Sequence, residues 1–361
     1  MREEKQLLGF LGSLFEDHLT LRADDVCEPI DTVYVGQTPF TAAAVLQSDE
    51  TAYESEYATW LQESWIPEQK ERLEGTLALH GNRERFSDLT SAARNQQLVP
   101  LVGSGMSVPS GLVTWSEFLR RICSYSKVDA EELEDLLANG RFEEAAEQIK
   151  DRMPPRLFDE RIDHDLRIPG DRHVEGAVRF LPSLQPSVIL TMNLDNVLES
   201  TFEDQGQTFS HVLHGTGLRN YRTLKNPKES FLLKLHGDSR EPESRVITAT
   251  EYDAAYAEGS AIRLELSLLS RSYSLLCLGC SLANDRMIDL LHEVATEDRN
   301  IPKHFAILRD PGDDVGRLSR EHFLCDRGIF PIWYDGDHDG AIQSLLVGVL
   351  LDIEGMGDLL I

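Results

Sequence analysis

An alternation that begins near residue 95 constrains this chain more than any other feature: short apolar runs alternate with longer amphipathic stretches. Apolar runs of about four to eight residues, bounded by turn residues, are typical of strands buried on both faces. Helical stretches between such strands place the strands parallel to one another in one sheet. The sequence therefore predicts an α/β fold, a doubly wound, Rossmann-like parallel sheet with helices on both faces. The strands are predicted at Leu98–Val102, Ser187–Thr191, Phe231–Leu235, Ser274–Leu278, His304–Leu308 and Ile329–Tyr334.

The first 90 residues lack this alternation and show mixed helical patterns, with one short strand predicted at Thr32–Val35. No motif there carries chemistry, so residues 1–90 are predicted to be a mainly helical extension used for assembly. Residues 91–361 are predicted to be the domain that holds the functional site. Within it, Thr114 and Glu117 form a capping box that begins a helix through Ile122. Other helices are predicted from Asp129, from Phe142, from Asn196, across Glu251–Ser270 and from Asn284 or Asp285, and a last, amphipathic helix is predicted from Ala341 to about Ile353.

The net charge of −27 limits the partners of the chain. A surface this acidic repels phosphate backbones at long range, which argues against direct binding of DNA or RNA. Arg219, Arg222 and Lys225 form a local basic patch suited to the phosphates of a small ligand; alternatively, the charge serves only solubility or docking to a basic partner. No apolar run approaches the roughly 18 to 20 residues of a membrane span. Because the N-terminus also lacks a secretory signal pattern, we expect no membrane association and a cytoplasmic location.

The five cysteines do not form a disulfide framework, and their odd number fits a reducing compartment. Cys277 and Cys280 have the spacing of zinc ligands, but a structural zinc site needs four ligands and no second pair is present. Their surroundings, LLCLGCSL, are typical of a buried strand that runs into a glycine turn. No zinc or other metal is expected.

Two loops rich in glycine and serine directly follow predicted strands. Glycine lets the backbone turn tightly and approach a pyrophosphate, whose charge is met by backbone N–H groups. The dinucleotide fingerprint is imperfect, because Gly111 follows Gly105 too late and the expected acidic residue is missing. A turn that needs glycine for its own geometry is the alternative. The residues predicted to bind a dinucleotide are Gly103, Ser104, Gly105, Ser107, Thr191, Gly279 and Ser281.

Polar side chains with catalytic potential follow two further strands. Asn193 can both donate and accept hydrogen bonds, as is needed to hold a water or a ribose hydroxyl. Asp195 is suited to cap the next helix, whatever else it does. His236 has a side chain suited to act as a general base. A lone histidine is more often a structural residue whose ring is hydrogen-bonded by the neighbouring backbone. His214 also precedes a glycine, but we prefer His236 because an apolar strand leads into it.

These motifs share one position, the carboxyl ends of four strands of one predicted sheet. Ligands bind at that edge in open α/β sheets, so four such motifs together indicate a common crevice.

In their order along the chain, the four motifs resemble those of the sirtuin family, over about residues 95–335. The loop of residues 103–107 is similar to the family's Gly-Ala-Gly-x-Ser, and residues 191–195 are similar to Thr-Gln-Asn-Ile-Asp. His236-Gly237 matches the catalytic His-Gly, and residues 279–282 resemble Gly-Thr-Ser-Leu. The two cysteine pairs of sirtuin deacylases are missing, and Gly-Ile-Pro-Asp-Phe-Arg has only Ser110–Trp115 in its place. The zinc-free pattern resembles sirtuin-like effectors of bacterial antiphage defence.

The resemblance implies an NAD hydrolase that releases nicotinamide and ADP-ribose, with NAD as substrate and Asn193, His236 and Asp195 as catalytic residues. Two alternatives stay open: a module that binds NAD or ADP-ribose without turnover, and an NAD-dependent protein deacylase. The size of the chain resembles that of members that work with a HerA-type ATPase partner. The acidic N-terminal part and the apolar C-terminal helix favour a homo-oligomer.

Overall fold

The computed structural model describes residues 11–19, 32–35, 38–170, 173–224, 226, 228–282 and 286–355. The chain divides into two compact units, Met1–Leu73 and Glu74–Ile361. In the first unit, the predicted strand Thr32–Val35 (β1) is confirmed and pairs antiparallel with Thr38–Thr41 (β2). Its helices are residues 11–19 (α1), Ala42–Gln47 (α2), Glu50–Trp60 (α3), the π-helical turn Leu61–Trp65 and the start of Ile66–Leu77 (α4).

An aromatic cluster forms the centre of the first unit. Phe15 on α1 contacts Tyr53 and Tyr57 edge-on, with ring centroids 5.4 and 5.6 Å apart. Trp60 lies 5.3 Å from Phe15 and 5.9 Å from Trp65. Such pairs stabilise a small core beyond the area that they bury.

The apolar runs of the second unit form a seven-stranded, fully parallel sheet in the order β5-β6-β4-β3-β7-β8-β9. This confirms the predicted fold class, and each predicted strand is present to within one residue at either end. The strands are Leu98–Val102 (β3), Val188–Thr191 (β4), His211–His214 (β5), Phe231–Lys234 (β6), Ser274–Leu278 (β7), His304–Arg309 (β8) and Ile329–Tyr334 (β9).

One strand of this sheet, β5, is absent from the sequence-based prediction, as is β2 in the first unit. Strand β5 forms an edge of the sheet, and Val212 is exposed while the other three residues are half-buried. An edge strand has only one neighbour, so it does not need the continuous apolar run by which buried parallel strands are recognised.

The helices of the second unit lie before the first strand, between the strands and after the last one. Thr114 and Asp129 cap their helices as predicted, accepting hydrogen bonds from Glu117 N and from Glu131 N. The predicted helix starts at Asn284 and Asp285 lie outside the described residues. The helices are Asn82–Arg94 (α5), Trp115–Cys123 (α6), Ala130–Ala138 (α7), Phe142–Asp151 (α8), Pro155–Asp165 (α9), Val197–Asp204 (α10), Tyr221–Leu224 (α11), Ala249–Ala255 (α12), Ala261–Ser272 (α13), Arg286–Glu297 (α14), Asp314–Cys325 (α15) and His338–Ile353 (α16).

The C-terminal helix α16 differs from its prediction in two ways. It begins three residues before Ala341, because Asp337 accepts a hydrogen bond from Gly340 N and caps it. It is buried around most of its surface rather than along one stripe, since it packs against α5 and against the turn Ala177–Phe180. The predicted boundary near residue 90 falls inside α5, which packs on β9 and α16 within the second unit.

Two cores support the site. The larger one joins the strands to α13 and α14, and it contains residues of β3, β4, β6 and β7. The smaller one joins α6 to α9 into a helical module, whose apolar residues also pack against Leu194 and Ile247. Within the described part of the chain, none of the helices combines the length and apolar character needed to cross a bilayer.

Candidate functional site

A cleft lies where the carboxyl ends of β3, β4, β6 and β7 meet. The chain leaves β3 toward β4 on one side and later returns to β7 on the other side, so the order of strands reverses at β3. Such a reversal is where open α/β sheets bind ligands. The cleft encloses about 920 Å³ of atom-free space, including that open to solvent.

Seven of the ten predicted site residues line this cleft together. They are Gly103, Ser104, Asn193, Asp195, His236, Gly279 and Ser281. The cleft also has an apolar lining, formed by Leu112 and Val113 before α6, by Trp115 on α6 and by Leu166 after α9. The structure thus brings the predicted residues of four strands into one crevice, while Gly105, Ser107 and Thr191 do not line it.

The two glycine loops pack directly against each other. Gly103 N donates to Leu278 O at 2.9 Å, and Gly105 N donates to Gly279 O at 3.0 Å. A Cβ on Gly103 would lie 2.6 Å from Gly279 O, and Gly279 has a φ of +64° with no room for a Cβ beside Met106 N. Glycine is therefore required for the contact between the loops, as well as for exposed backbone in the cleft.

The loop after β7 is held from outside by Arg320, which sequence reasoning missed. Its Nη2 donates to Ser281 O at 2.7 Å and to Leu282 O at 2.5 Å. Leu282 is buried and has a φ of +48°, a conformation that a branched side chain rarely adopts. The cation stabilises the carbonyls of this strained turn beside the cleft.

Ser107 connects the two polar side chains that follow β4. Asn193 Nδ2 donates to Ser107 Oγ at 3.1 Å, and Ser107 Oγ donates to Asp195 Oδ2 at 2.8 Å. Thr191 supports the same turn, since its hydroxyl donates to Val102 O at 2.9 Å and accepts from Asn193 N at 3.0 Å. Ser107 and Thr191 thus orient the site from beneath the cleft, and the Asn193 side chain is fixed through one of its two polar ends.

Asp195 is a buried carboxyl group whose pKa is subject to opposing effects. Burial raises its pKa to about 6, against the opposing effects of hydrogen bonds from Val197 N and Ser107 and of the Lys234 charge. Its Oδ1 accepts from Val197 N at 3.0 Å at the start of α10. Asp195 therefore serves the helix start, as predicted, and also presents a carboxyl group to the cleft.

Lys234 is fully buried beneath this turn and was not singled out from the sequence. Its Nζ lies 3.0 Å from Glu199 Oε1 and 2.5 Å from Asp238 Oδ2. It also donates to Asp195 O at 2.7 Å. Burial alone would lower the pKa of this amine, but the two carboxylates outweigh burial and raise it. A permanent positive charge therefore fixes the turns after β4 and β6 to each other.

His236 follows β6 at a sharply turned backbone. Gly237 has a φ of +89° and its missing Cβ leaves room for Ser244 O. The ring nitrogens contact two tyrosines: Tyr252 Oη lies 3.1 Å from Nδ1, and Tyr256 Oη lies 2.9 Å from Nε2. Burial lowers the pKa of His236 to about 4, although a hydrogen bond with the Met192 backbone opposes the shift. The imidazole is therefore neutral at pH 7.

The other candidate groups lie elsewhere. His214, the alternative histidine, lies on the edge strand β5 near Glu241, and it does not line the cleft. Arg222 pairs with Glu265 and Arg219 donates to Gly259 O, so neither arginine of the basic patch lines the cleft, and Lys225 lies outside the described residues. Cys277 is buried in β7, which confirms the prediction of a buried strand there.

Tyr252 and Tyr256 line the cleft, and the sequence offered a signal for them that the prediction did not use. Thr248 and Glu251 form a full capping box at the start of α12. Tyrosines at positions i and i+4 after such a start lie on one face of the helix. The sequence does not show which element that face meets.

Comparison with known proteins finds similarity over part of the second unit. Residues 187–332 match the family described as SIR2-like domain. This segment is therefore similar to a sirtuin-like domain, which confirms the resemblance drawn from the motifs that it contains. The matched segment contains Asn193, Asp195, His236 and the loop after β7, whereas the loop after β3 precedes it.

Curated relatives carry the name NAD(+) hydrolase ThsA. The protein from Acinetobacter baumannii is 25% identical over 210 residues, which are 57% of this chain and 41% of the relative. The protein from Enterococcus faecium is 22% identical over 254 residues, 68% of this chain and 48% of the relative. The protein from Cytobacillus dafuensis is 24% identical over 258 residues, which are 69% of this chain and 48% of the relative. The matched part of the chain thus spans less than half the length of these relatives.

Proposed function

We propose that this chain, which is similar to a SIR2-like domain over residues 187–332, hydrolyses NAD at the nicotinamide–ribose bond and releases nicotinamide and ADP-ribose. The observation that carries the proposal is the placement of Asn193 and His236 in one cleft with the glycine loop after β3. The relatives named NAD(+) hydrolase support the same reaction. NAD enters here as the substrate.

The reaction does not require a general acid, because nicotinamide leaves as a neutral molecule. The transition state resembles the oxocarbenium ion of glycoside hydrolysis, with positive charge on the ribose. The Asn193 amide holds the attacking water or a ribose hydroxyl. His236 takes a proton from that group at its unprotonated ring nitrogen, which accepts a tyrosine hydroxyl in the structure. The Asp195 carboxylate stabilises the developing positive charge.

The dinucleotide is held by Gly103, Ser104, Gly279 and Ser281, which all line the cleft. The remaining predicted residues do not line the cleft. They fix the loops and the Asn193 and Asp195 side chains, and they are Gly105, Ser107 and Thr191. This division follows from their hydrogen bonds, which are made to other protein atoms.

The direct test is to incubate the purified chain with NAD and to follow nicotinamide by chromatography. Equimolar nicotinamide and ADP-ribose are expected. Calorimetry of NAD binding and an assay with an acetyl-lysine peptide run in parallel. Binding without release of nicotinamide would instead support a non-catalytic module, and release that depends on the peptide would support a deacylase.

The pH dependence of kcat/KM is expected to show an acid limb that belongs to Asp195. Because burial raises the pKa of this carboxyl to about 6, protonation on going from pH 7 to pH 5 removes the charge that stabilises the transition state. Activity should therefore fall about tenfold per pH unit below pH 6. The pKa of His236, at about 4, lies too low to produce this limb.

Asp195→Asn tests the assignment of the acid limb. The variant is expected to have lower activity that is flat between pH 5 and pH 7, as measured by initial rates of nicotinamide release. An acid limb that persists near pH 6 in Asp195→Asn would show that another group controls it.

We also propose that this activity depletes NAD in the cytoplasm as an antiphage defence, in a homo-oligomer that works with a HerA-type ATPase partner. The defence role and the partner are supported by the sirtuin-like resemblance, and self-association by the acidic N-terminal part, whereas the apolar C-terminal helix packs within the second unit and does not support it. The acidic net charge also argues against direct nucleic-acid binding. Light scattering of the purified chain, alone and with such an ATPase, is expected to report a defined oligomer; a monomer under both conditions would contradict this.

A further inference from the structure

Two tyrosine side chains fix the ring of His236. The rings of Tyr252 and Tyr256 stack nearly parallel, at 4° with centroids 6.0 Å apart. Both meet the imidazole edge-on, with centroid distances of 4.8 and 6.0 Å. Aromatic contacts of this kind restrict the plane of the imidazole, and the hydroxyls on its two nitrogens restrict rotation within that plane.

A neutral imidazole bonded on both sides has a defined tautomer. It carries one N–H donor and one bare acceptor nitrogen. One tyrosine hydroxyl therefore donates to the bare nitrogen, while the other accepts from the N–H. Because either hydroxyl can donate or accept, the hydrogen bond with the Met192 backbone selects the nitrogen that carries the proton, and the tyrosine pair fixes the orientation of the ring.

The helix that carries the tyrosines is itself held in place. Glu251 Oε2 accepts from Ile247 N at 2.9 Å and from Thr248 N at 3.0 Å, which fixes the first turn of α12. Glu251 also forms an ion pair with Lys150 on α8. On the other side, His236 O accepts from Val246 N at 2.9 Å, so the backbone of the histidine is equally constrained.

We propose that Tyr252 and Tyr256 are positioning residues that hold the His236 ring in one orientation for proton transfer in the cleft. The proposal rests on the NAD hydrolysis proposed above. Reacting groups must be held within a fraction of an ångström of their productive geometry, and a displacement of about 1 Å can cost on the order of 100-fold in rate.

The test compares Tyr252→Phe, Tyr256→Phe and the double variant with the wild type. Phenylalanine keeps the ring contacts and removes only the hydroxyls. We expect kcat to fall roughly tenfold in each single variant and about 100-fold in the double variant, with the KM for NAD within about twofold. Tyr125→Phe is the control, because this exposed tyrosine lies outside the cleft and should keep wild-type kinetics.

A spectroscopic measurement separates positioning from general damage to the fold. In protein labelled with ¹⁵N-histidine, His236 is expected to show two widely separated ring nitrogen shifts, one for each end of a single tautomer. The double variant should show changed ring nitrogen shifts, because both hydroxyl hydrogen bonds to the ring are lost, with an unchanged circular dichroism spectrum. The His236 signals are identified by their loss in His236→Gln.

Either of two results would overturn the proposal: wild-type kcat in the double variant, or ring nitrogen shifts of His236 that do not change in it. The measurement of nitrogen shifts needs no turnover. If the wild type releases no nicotinamide, the proposed function fails while the shifts still decide whether the tyrosines position the ring.

Discussion

Asn193→Ala and His236→Ala are each expected to lower the rate of nicotinamide release by roughly 100- to 10,000-fold, the range that a positioned base or a fixed reacting group supplies. Both side chains line the cleft, and neither carries an ion pair that the fold needs. Initial rates at saturating NAD measure the effect. Both variants should unfold as cooperatively as the wild type.

The chain offers a matched control for each variant. His214 also precedes a glycine, but it lies on the edge strand β5 and does not line the cleft. Asn139 is exposed at the end of α7, where its amide bonds only to Asp135. His214→Ala and Asn139→Ala are expected to keep the wild-type rate. Activity that survives in both Asn193→Ala and His236→Ala would refute the assignment of the site.

Lys234→Met is expected to lower the free energy of unfolding by about 3 kcal/mol, the cost of leaving buried carboxylates without their cation. The Lys234 side chain is 1% exposed, and its partners Glu199 and Asp238 are 22% and 16% exposed. Methionine keeps most of the apolar stem, so the variant removes mainly the charge and the hydrogen bond to Asp195 O. Urea denaturation at pH 7 measures the change.

Lys303→Met makes the same substitution in an exposed ion pair. Lys303 and Asp88 are 2.7 Å apart, and their side chains are 49% and 41% exposed. Exposed ion pairs contribute about 0 to 1 kcal/mol to stability, so the free energy of unfolding of this variant should be close to that of the wild type. Equal stability of Lys234→Met and Lys303→Met would mean that the turns after β4 and β6 do not depend on the buried cation.

The strands were predictable because burial on both faces leaves a continuous apolar run in the sequence, as in Val188–Thr191 and Ser274–Leu278. The common crevice was predictable for a related reason. Parallel strands present their carboxyl ends at one edge, so the loops after β3, β4, β6 and β7 had to meet once the strands were recognised.

The partners of the site residues were not predictable in this way. Ser107 looked like a dinucleotide ligand, but its hydroxyl lies between Asn193 and Asp195, which follow it by more than 80 residues. A hydroxyl binds phosphate, amide or carboxylate with equal ease, so its residue type does not select among them. Similarly, Lys234 is in the sequence only the polar residue near the end of a predicted strand. Its role in the site is shown by its burial between Glu199 and Asp238 in the structure.

By itself, the sequence determined the order of the buried strands and the edge of the sheet where polar groups meet, since both follow from local apolar periodicity and from the direction of parallel strands. The tertiary structure alone decided the charge of Asp195 and the neutrality and bonding of His236, because both depend on burial and on groups that other elements supply. A pKa and a hydrogen-bond partner are properties of the packed surroundings, which residue type and spacing do not contain.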